Sequence, residues 1–188
     1  MRKILVIGSG GAGKSTFSIR LSKILNIEVI HLDTRYWQPG WVEPSKEEWK
    51  KTIEMLIARE TWIMDGNYSG TLDLRIVACD TLIFLDISRW VCVWRVIKRF
   101  MKNRNRRRPD MAEGCIDRFD LRFVIWVWNY RKRSRPKIVK LIEEKTDGKT
   151  VILLRSDGEV ERFLDCVRTT SMTESGHKLL SSKKDLMR

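Results

Sequence analysis

A helix that crosses a bilayer needs roughly 18 consecutive apolar residues, and no run in this 188-residue chain approaches that length. No transmembrane helix is expected, therefore, and no membrane among the partners. Arg2 and Lys3 before Ile4-Leu5-Val6-Ile7 look like the start of a signal peptide, but that apolar run stops in glycines, so no secretory leader is expected. The cysteines are few, Cys79, Cys92, Cys115 and Cys166, and none forms a CxxC or other metal spacing. Without a leader they read as reduced thiols, and the expected location is cytoplasmic. His31 and His177 are too few for a histidine-based metal site. Carboxylates are also scarce: 24 Asp and Glu stand against 37 Lys and Arg, a net charge of +13 with a pI near 9.9. That imbalance argues for an anionic partner, whether phosphate, nucleic acid or a membrane surface.

The chain is otherwise globular in character, 43% hydrophobic and 32% charged, and its 22.2 kDa suits one domain. Short apolar runs at 3–7, 27–32, 61–64, 81–85 and 150–154 read as buried strands. Helical periodicity lies between them: Phe17, Leu21, Ile24 and Leu25, then Trp49, Ile53, Leu56 and Ile57 behind a Ser45–Glu48 capping box. A basic helix begins after Ser88, a Trp-rich helix runs from about Ile116 to Tyr130, and Pro136 opens another. Ser156 and Glu159 form a second capping box. The alternation predicts an α/β domain with a mainly parallel sheet over residues 1–168, and the polar run 169–188 reads as a disordered or artefactual tail.

Gly8-Ser9-Gly10-Gly11-Ala12-Gly13-Lys14-Ser15, followed by Thr16, fits GxxxxGK[ST] with a strand before it and a helix after it. Glycines let successive backbone N–H groups turn toward phosphate oxygens, and the helix N-terminus adds partial positive charge. Lys14 is placed to neutralise the β- and γ-phosphates, and the Ser15 hydroxyl to ligate Mg²⁺. The nucleotide is read as ATP. The carboxylate that completes the metal side should end a neighbouring strand. Asp33, Asp65 and Asp86 each do. Asp65-Gly66 is the choice for the metal, Asp33 for the acceptor as a binding group or general base, and Asp86 is read as a cap beside Ser88.

Between Asp86 and Lys140 there are 17 Lys and Arg against 5 Asp and Glu, so +12 of the net +13 falls in 55 residues. Arg95 and Arg99 share a helix face. Arg104, Arg106, Arg107 and Arg108 follow in a segment that reads as an arginine-rich lid at about 100–115. Arginine suits bidentate contact with phosphate oxygens, and a phosphoryl-transfer transition state spreads negative charge that such groups stabilise. Arg95, Arg99 and Arg108 are the candidates. Trp90 and Trp94, at i and i+4 among Val91, Val93 and Ile97, read as core. The alternative reading of the segment is nucleic-acid binding, with arginines on phosphates and tryptophans on bases.

Taken together, these residues resemble the P-loop nucleoside-monophosphate-kinase superfamily, adenylate-kinase-like, and more narrowly a bacterial group labelled DNA topology modulation proteins. The likeness is carried by GSGGAGKST at 8–16, HLDTRYWQPGW at 31–41, WIMDGNYSGTLDLR at 62–75, FLDISRWVCVWRVIKR at 84–99, RPDMAEGC at 108–115 and WVWNYRKRSRPKI at 126–138. It implies a three-layer P-loop sandwich with sheet order 2-3-1-4-5, an acceptor region near 33–60 and a helical lid. It also implies that Asp65-Gly66 holds Mg²⁺ through water. Where those enzymes continue with an aromatic residue, Pro and Arg, this chain has Asn67-Tyr68-Ser69, which leaves Arg35 or Arg75 to meet an acceptor phosphate. The function so implied is Mg²⁺- and ATP-dependent phosphoryl transfer to a small molecule or nucleotide. The alternative is a nucleotide-regulated DNA-binding protein using the basic segment.

Overall fold

The computed structural model describes residues 1–102 and 120–172. Five strands, β1 Lys3–Gly8, β2 Val29–His31, β3 Trp62–Asp65, β4 Thr81–Leu85 and β5 Thr150–Leu154, form one sheet. Every neighbouring pair is parallel, and the order is 2-3-1-4-5. Strands covered on both faces have no polar side to show. Ile4, Leu5, Val6 and Ile7 are accordingly all fully buried. Their alternation divides them between two cores. Ile4 and Val6 join Ile83, Leu85, Phe17 and Phe163. Leu5 and Ile7 join Leu82, Phe84, Trp49, Trp62 and Ile138 on the opposite face. The helices are α1 Lys14–Leu25, α2 Leu32–Tyr36, α3 Lys46–Ile57, α4 Leu72–Ala78, α5 Arg89–Lys102, α6 Leu121–Arg133, α7 Arg135–Lys145 and α8 Asp157–Met172. With helices on both faces, the three-layer α/β architecture stands as the sequence implied. Among the described residues, no helix is long and apolar enough to cross a membrane.

Local signals explain several boundaries. α1 ends at Asn26 in the left-handed region, φ 53°. The Ser45–Glu48 capping box forms in full at the start of α3. At Ser156 the box is offset: the Glu159 amide donates to the Ser156 hydroxyl at 3.2 Å, but the Glu159 carboxylate accepts from Arg155 N–H, at 2.7 Å.

Other expectations are corrected. β2 is shorter than 27–32, because Leu32 already belongs to α2. The sequence reading had no helix between β3 and β4. A 3-10 turn, Ser69–Thr71, and α4 fill that crossover, and α4 was hidden because its inward face carries a charged residue, Arg75, between Leu72 and Ile76. The Trp-rich helix starts at Leu121, where Asp120 caps it by accepting from Arg122 N–H at 2.8 Å. The last helix runs to Met172, past the expected tail boundary at 169. Most of the lid expected at about 100–115, with Arg104, Arg106, Arg107 and Arg108, lies outside the described residues.

Trp90 and Trp94 are not core: they are 64% and 59% exposed, and α5 instead buries Cys92, Val96 and Phe100. Asp86 does not serve as a cap. Its carboxylate accepts from Arg135 Nε at 2.9 and 3.0 Å and pairs with Nη2 at 2.9 Å, tying the end of β4 to the start of α7. That hydrogen bond raises the Arg135 pKa above its ordinary value.

The start of β1 is held by a single carboxylate. Asp80 accepts from the backbone N–H groups of Arg2 at 2.7 Å and Lys3 at 2.8 Å, and from the Thr81 hydroxyl at 2.6 Å. Burial works to raise its pKa, but these hydrogen bonds prevail and hold it below the ordinary value. Asp80→Ala should cost about 1–2 kcal/mol in urea denaturation at neutral pH. The deficit should be full above the usual carboxylate pKa of about 3.9 and fade as the pH falls through the depressed folded-state value.

Candidate functional site

An all-parallel sheet brings the C-terminal ends of its strands to one edge, and the turn after β1 lies there. Gly11 has φ +78° and Gly13 φ +92°. A Cβ on Gly11 would collide with the Cys92 carbonyl oxygen of α5, so only glycine lets the turn run this close to that helix. Ala12 N–H closes the turn on Ser9 O at 3.2 Å. Gly13 then caps α1 without any side-chain hydrogen bond, and the first turn of α1 has no acidic residue. An uncapped N-terminus in a tight glycine turn is a ready site for an anion. Lys14 folds over the same turn, donating from Nζ to Gly8 O at 3.0 Å and Ser9 O at 2.9 Å. Burial lowers its pKa, Asp33 and Asp65 oppose that shift, and Arg99 adds to it. Asp33, Asp65 and Arg99 therefore each lie within electrostatic reach of Lys14. Ser15 and Thr16 continue in the first turn of α1.

Asp65 ends β3 with 4% exposure. Its Oδ1 lies 2.9 Å from His31 Nδ1, and its Oδ2 is buried with no hydrogen-bond partner. A carboxylate oxygen buried without a partner is costly unless something cationic or donating meets it. Among the described residues no three His, Cys, Asp or Glu side chains converge as a self-sufficient metal site. The arrangement fits an ion such as Mg²⁺, which keeps several waters and takes one or two protein ligands plus phosphate oxygens. Ser15 and Asp65 are the residues that would hold it.

The segment after Asp65 connects the two halves of the site. The Asn67 side chain pairs with the Gly8 backbone in both directions: Gly8 N–H donates to Oδ1 at 3.2 Å and Nδ2 donates to Gly8 O at 2.8 Å. The Tyr68 hydroxyl donates to Asp33 Oδ1 at 2.6 Å. Tyr68 has φ 29°, a conformation a non-glycine residue holds only when its surroundings require it. Arg75 holds the carbonyls on either side of it. Arg75 is fully buried and donates to the carbonyls of Thr71 at 3.2 Å, Gly66 at 2.8 Å, Asn67 at 2.5 Å and Tyr68 at 2.9 Å. Burial pulls its pKa down to about 9, still charged at neutral pH, with Tyr68 and Asp73 opposing. The expectation that Arg75 meets a substrate is thus corrected, because its guanidinium is consumed by backbone carbonyls. Asn67 and Tyr68 were marked in the sequence only as a departure from the adenylate-kinase pattern. Nothing in their spacing told of the two contacts they make.

Asp33 lies in the first turn of α2, beside a cluster of rings. Tyr36 packs on Tyr68 at 4.4 Å, Trp49 at 4.9 Å and Trp37 at 5.1 Å between centroids, and Trp37 packs on Trp41 at 5.3 Å. Arg35 is exposed on the same short helix. From the other side, Arg95 reaches the glycine turn: its Nη1 lies 3.9 Å from where a Gly13 Cβ would be. It is paired with Asp157 at 2.5 Å. The Arg99 guanidinium lies 5.1 Å from the Phe100 ring centre and 5.8 Å from that of Phe123. Arg108 lies outside the described residues. The buried Cys92 thiol beside the turn is pushed up to about 11 by burial, with Lys14 and Arg95 opposing, so it is no nucleophile at neutral pH.

The turn, the helix behind it and the sheet order define a P-loop α/β fold. No protein-family model matches the chain, and no curated protein does. Among solved structures it is similar to deoxyadenosine kinase from M. mycoides with bound dCTP: 16% identity, 88% of this chain and 98% of that one, TM-score 0.45. It is also similar to shikimate kinase from Bacteroides thetaiotaomicron: 13% identity, 88% and 95% covered, TM-score 0.47. At those values the roles of the side chains rest on their own geometry.

The two arginines proposed from the sequence to meet an acceptor separate cleanly by stability. Arg75→Leu leaves four carbonyls without their donor and should cost about 3–5 kcal/mol in urea denaturation. Arg35→Ala, on the surface, should stay within about 0.5 kcal/mol of wild type.

Proposed function

We propose that the chain is an ATP- and Mg²⁺-dependent phosphotransferase acting on a small acceptor, bound in the region of residues 33–60 beside the glycine turn. One convergence supports this reading. An uncapped helix N-terminus with Lys14, a buried carboxylate oxygen on Asp65, and Asp33 all meet at the ends of β1, β2 and β3. A triphosphate bound there would supply the phosphoryl group, and Mg²⁺ when bound would offset the negative charge of its oxygens. The backbone of residues 8–13 and the N-terminus of α1 would hold the phosphate oxygens. Lys14 would exchange its two carbonyl partners for phosphate oxygens, which answer its charge better. Ser15 and Asp65 would hold the metal and its waters.

Asp33 would orient the acceptor and receive its proton. The Tyr68 hydroxyl, already donating to Asp33, keeps that carboxylate aimed. Arg95 and Arg99 would meet the charge that spreads as the phosphoryl group moves. The pair holding Arg95 is no obstacle, because Asp157 is 68% exposed and a solvent-facing pair contributes about 1 kcal/mol or less. The narrower likeness to the group labelled DNA topology modulation proteins belongs to this same reading. The DNA-binding alternative draws on the charge of the basic segment, whose densest part lies outside the described residues.

Calorimetry with ATP and Mg²⁺ tests the cradle. Lys14→Ala should keep its thermal melt and lose at least about tenfold in affinity, which is 1.4 kcal/mol. Unchanged affinity would remove the assignment. Release of ADP, screened over small hydroxyl and phosphate compounds, tests the transfer. Once an acceptor is found, Asp65→Asn should lower turnover strongly while sparing metal-free ATP binding, and Arg95→Ala should lower turnover by about 2–4 kcal/mol in barrier.

A further inference from the structure

α5 has two apolar faces, and the fold uses one. Cys92, Val96 and Phe100 point into the core. Trp90, Trp94, Ile97 and Met101 recur at i, i+4, i+7 and i+11 on nearly the opposite side, and all four are exposed. The strip runs most of a helix about 21 Å long. It continues onto α6, where Trp128 meets Trp90 edge to face at 4.5 Å and Ile125 is exposed. An exposed apolar strip of this length on a folded domain marks a surface that something covers.

Charge narrows what covers it. Residues 87–102 and 120–135 together carry ten Lys and Arg and one carboxylate, Asp120, which is used in capping α6. A second copy of this face would set cations against cations. Stacking by nucleic-acid bases needs open ring faces, but here cations already sit on them: Lys98 Nζ is 4.7 Å from the Trp94 centroid, and the Arg89 guanidinium is 4.5 Å from that of Trp128 and 5.7 Å from that of Trp90. Aliphatic Ile97, Met101 and Ile125 suit an acyl boundary better than a base. Exposed tryptophan and aliphatic side chains along a helix, flanked by Lys and Arg whose heads stay at headgroup level, form an interfacial surface.

We infer that the outer face of α5, with the adjoining α6, docks on an anionic lipid surface, with Trp90, Trp94 and Ile97 in the headgroup–acyl boundary and Lys98 and Arg89 on lipid phosphates. The surface departs from the sequence expectation of no membrane partner but needs no spanning helix, and it lies on the side of α5 away from Cys92, which meets the glycine turn.

The test is co-sedimentation of the full chain with vesicles of phosphatidylcholine alone or mixed with phosphatidylglycerol. The protein should pellet with the anionic vesicles at least about tenfold better than with the zwitterionic ones, and lose that advantage between about 0.05 and 0.5 M salt. Trp94→Glu should abolish the binding, Trp94→Phe should keep most of it, and Lys98→Glu should weaken it severalfold, all with unchanged melting and ATP affinity. Absence of anionic-vesicle binding, or equal binding by Trp94→Glu, would overturn the proposal. So would binding to a single-stranded oligonucleotide, or a concentration-dependent dimer, that Trp94→Glu removes while wild type ignores vesicles.

Discussion

The guanidinium of Arg75 gives up all of its exposure to hold four backbone carbonyls in one short segment. A cation buried this way has no cheaper place to go, so the segment cannot relax without stranding it. Two side chains depart from that segment in different directions. Asn67 fastens the first residue of the glycine turn through paired hydrogen bonds. Tyr68, fixed in an unfavourable backbone conformation, holds Asp33. The segment that joins the glycine turn to Asp33 is thus held by one arginine whose guanidinium bonds to neither. Groups that must meet within an ångström or less gain from such support, since their own rotamers do not fix them.

Features whose signal is local were legible in the sequence. The glycine turn needs a strand before it, a helix after it and small residues between, and all three can be read along the chain. The four longer strands and the Ser45 capping box were likewise visible, and β2 was visible except for its end. Facing was read correctly for α1, which buries Phe17 and Leu21, and for α3, which buries Trp49, Ile53 and Leu56, but it failed where charge or size misled. Arg75 and Arg35 look alike in sequence, and only the tertiary structure buries one and exposes the other. α4 was missed because that buried arginine interrupts its apolar face. The periodicity of α5 is satisfied by Cys92, Val96 and Phe100 as well as by Trp90, Trp94 and Ile97, so side-chain size favoured the wrong face. Asp86 looked like a cap because Ser88 is its neighbour, but its partner, Arg135, is 49 residues away. The roles of Asp33, Asp65, Arg95 and Arg99 are not decided by position alone, although the fold brings Asp33, Asp65 and Arg99 within electrostatic reach of Lys14 and sets Arg95 against the turn.

Electrostatically the site is arranged as opposites in sequence-distant pairs. Carboxylates arrive from the ends of β2 and β3, and cations from the start of α1 and the inner side of α5. Lys14 feels both sets, and its lowered pKa shows that burial outweighs the two aspartates that would keep it charged. A polyanion entering this edge would reverse that balance by adding negative charge beside a lysine that now donates to two carbonyls. The basic character of the whole chain then acts at longer range, gathering anions toward the molecule, whereas the short-range arrangement selects among them.

The contact between Gly11 and Cys92 has a practical consequence. Cys92 is buried on the helix whose backbone presses against the glycine turn, whereas Cys166 on α8 is open to solvent. Alkylating reagents therefore meet these two thiols under different rules: Cys166 reacts at the rate of the reagent, Cys92 only as the structure around it opens. Read residue by residue, Cys92 against Cys166, alkylation is a chemical gauge of opening beside the glycine turn that needs no engineered label.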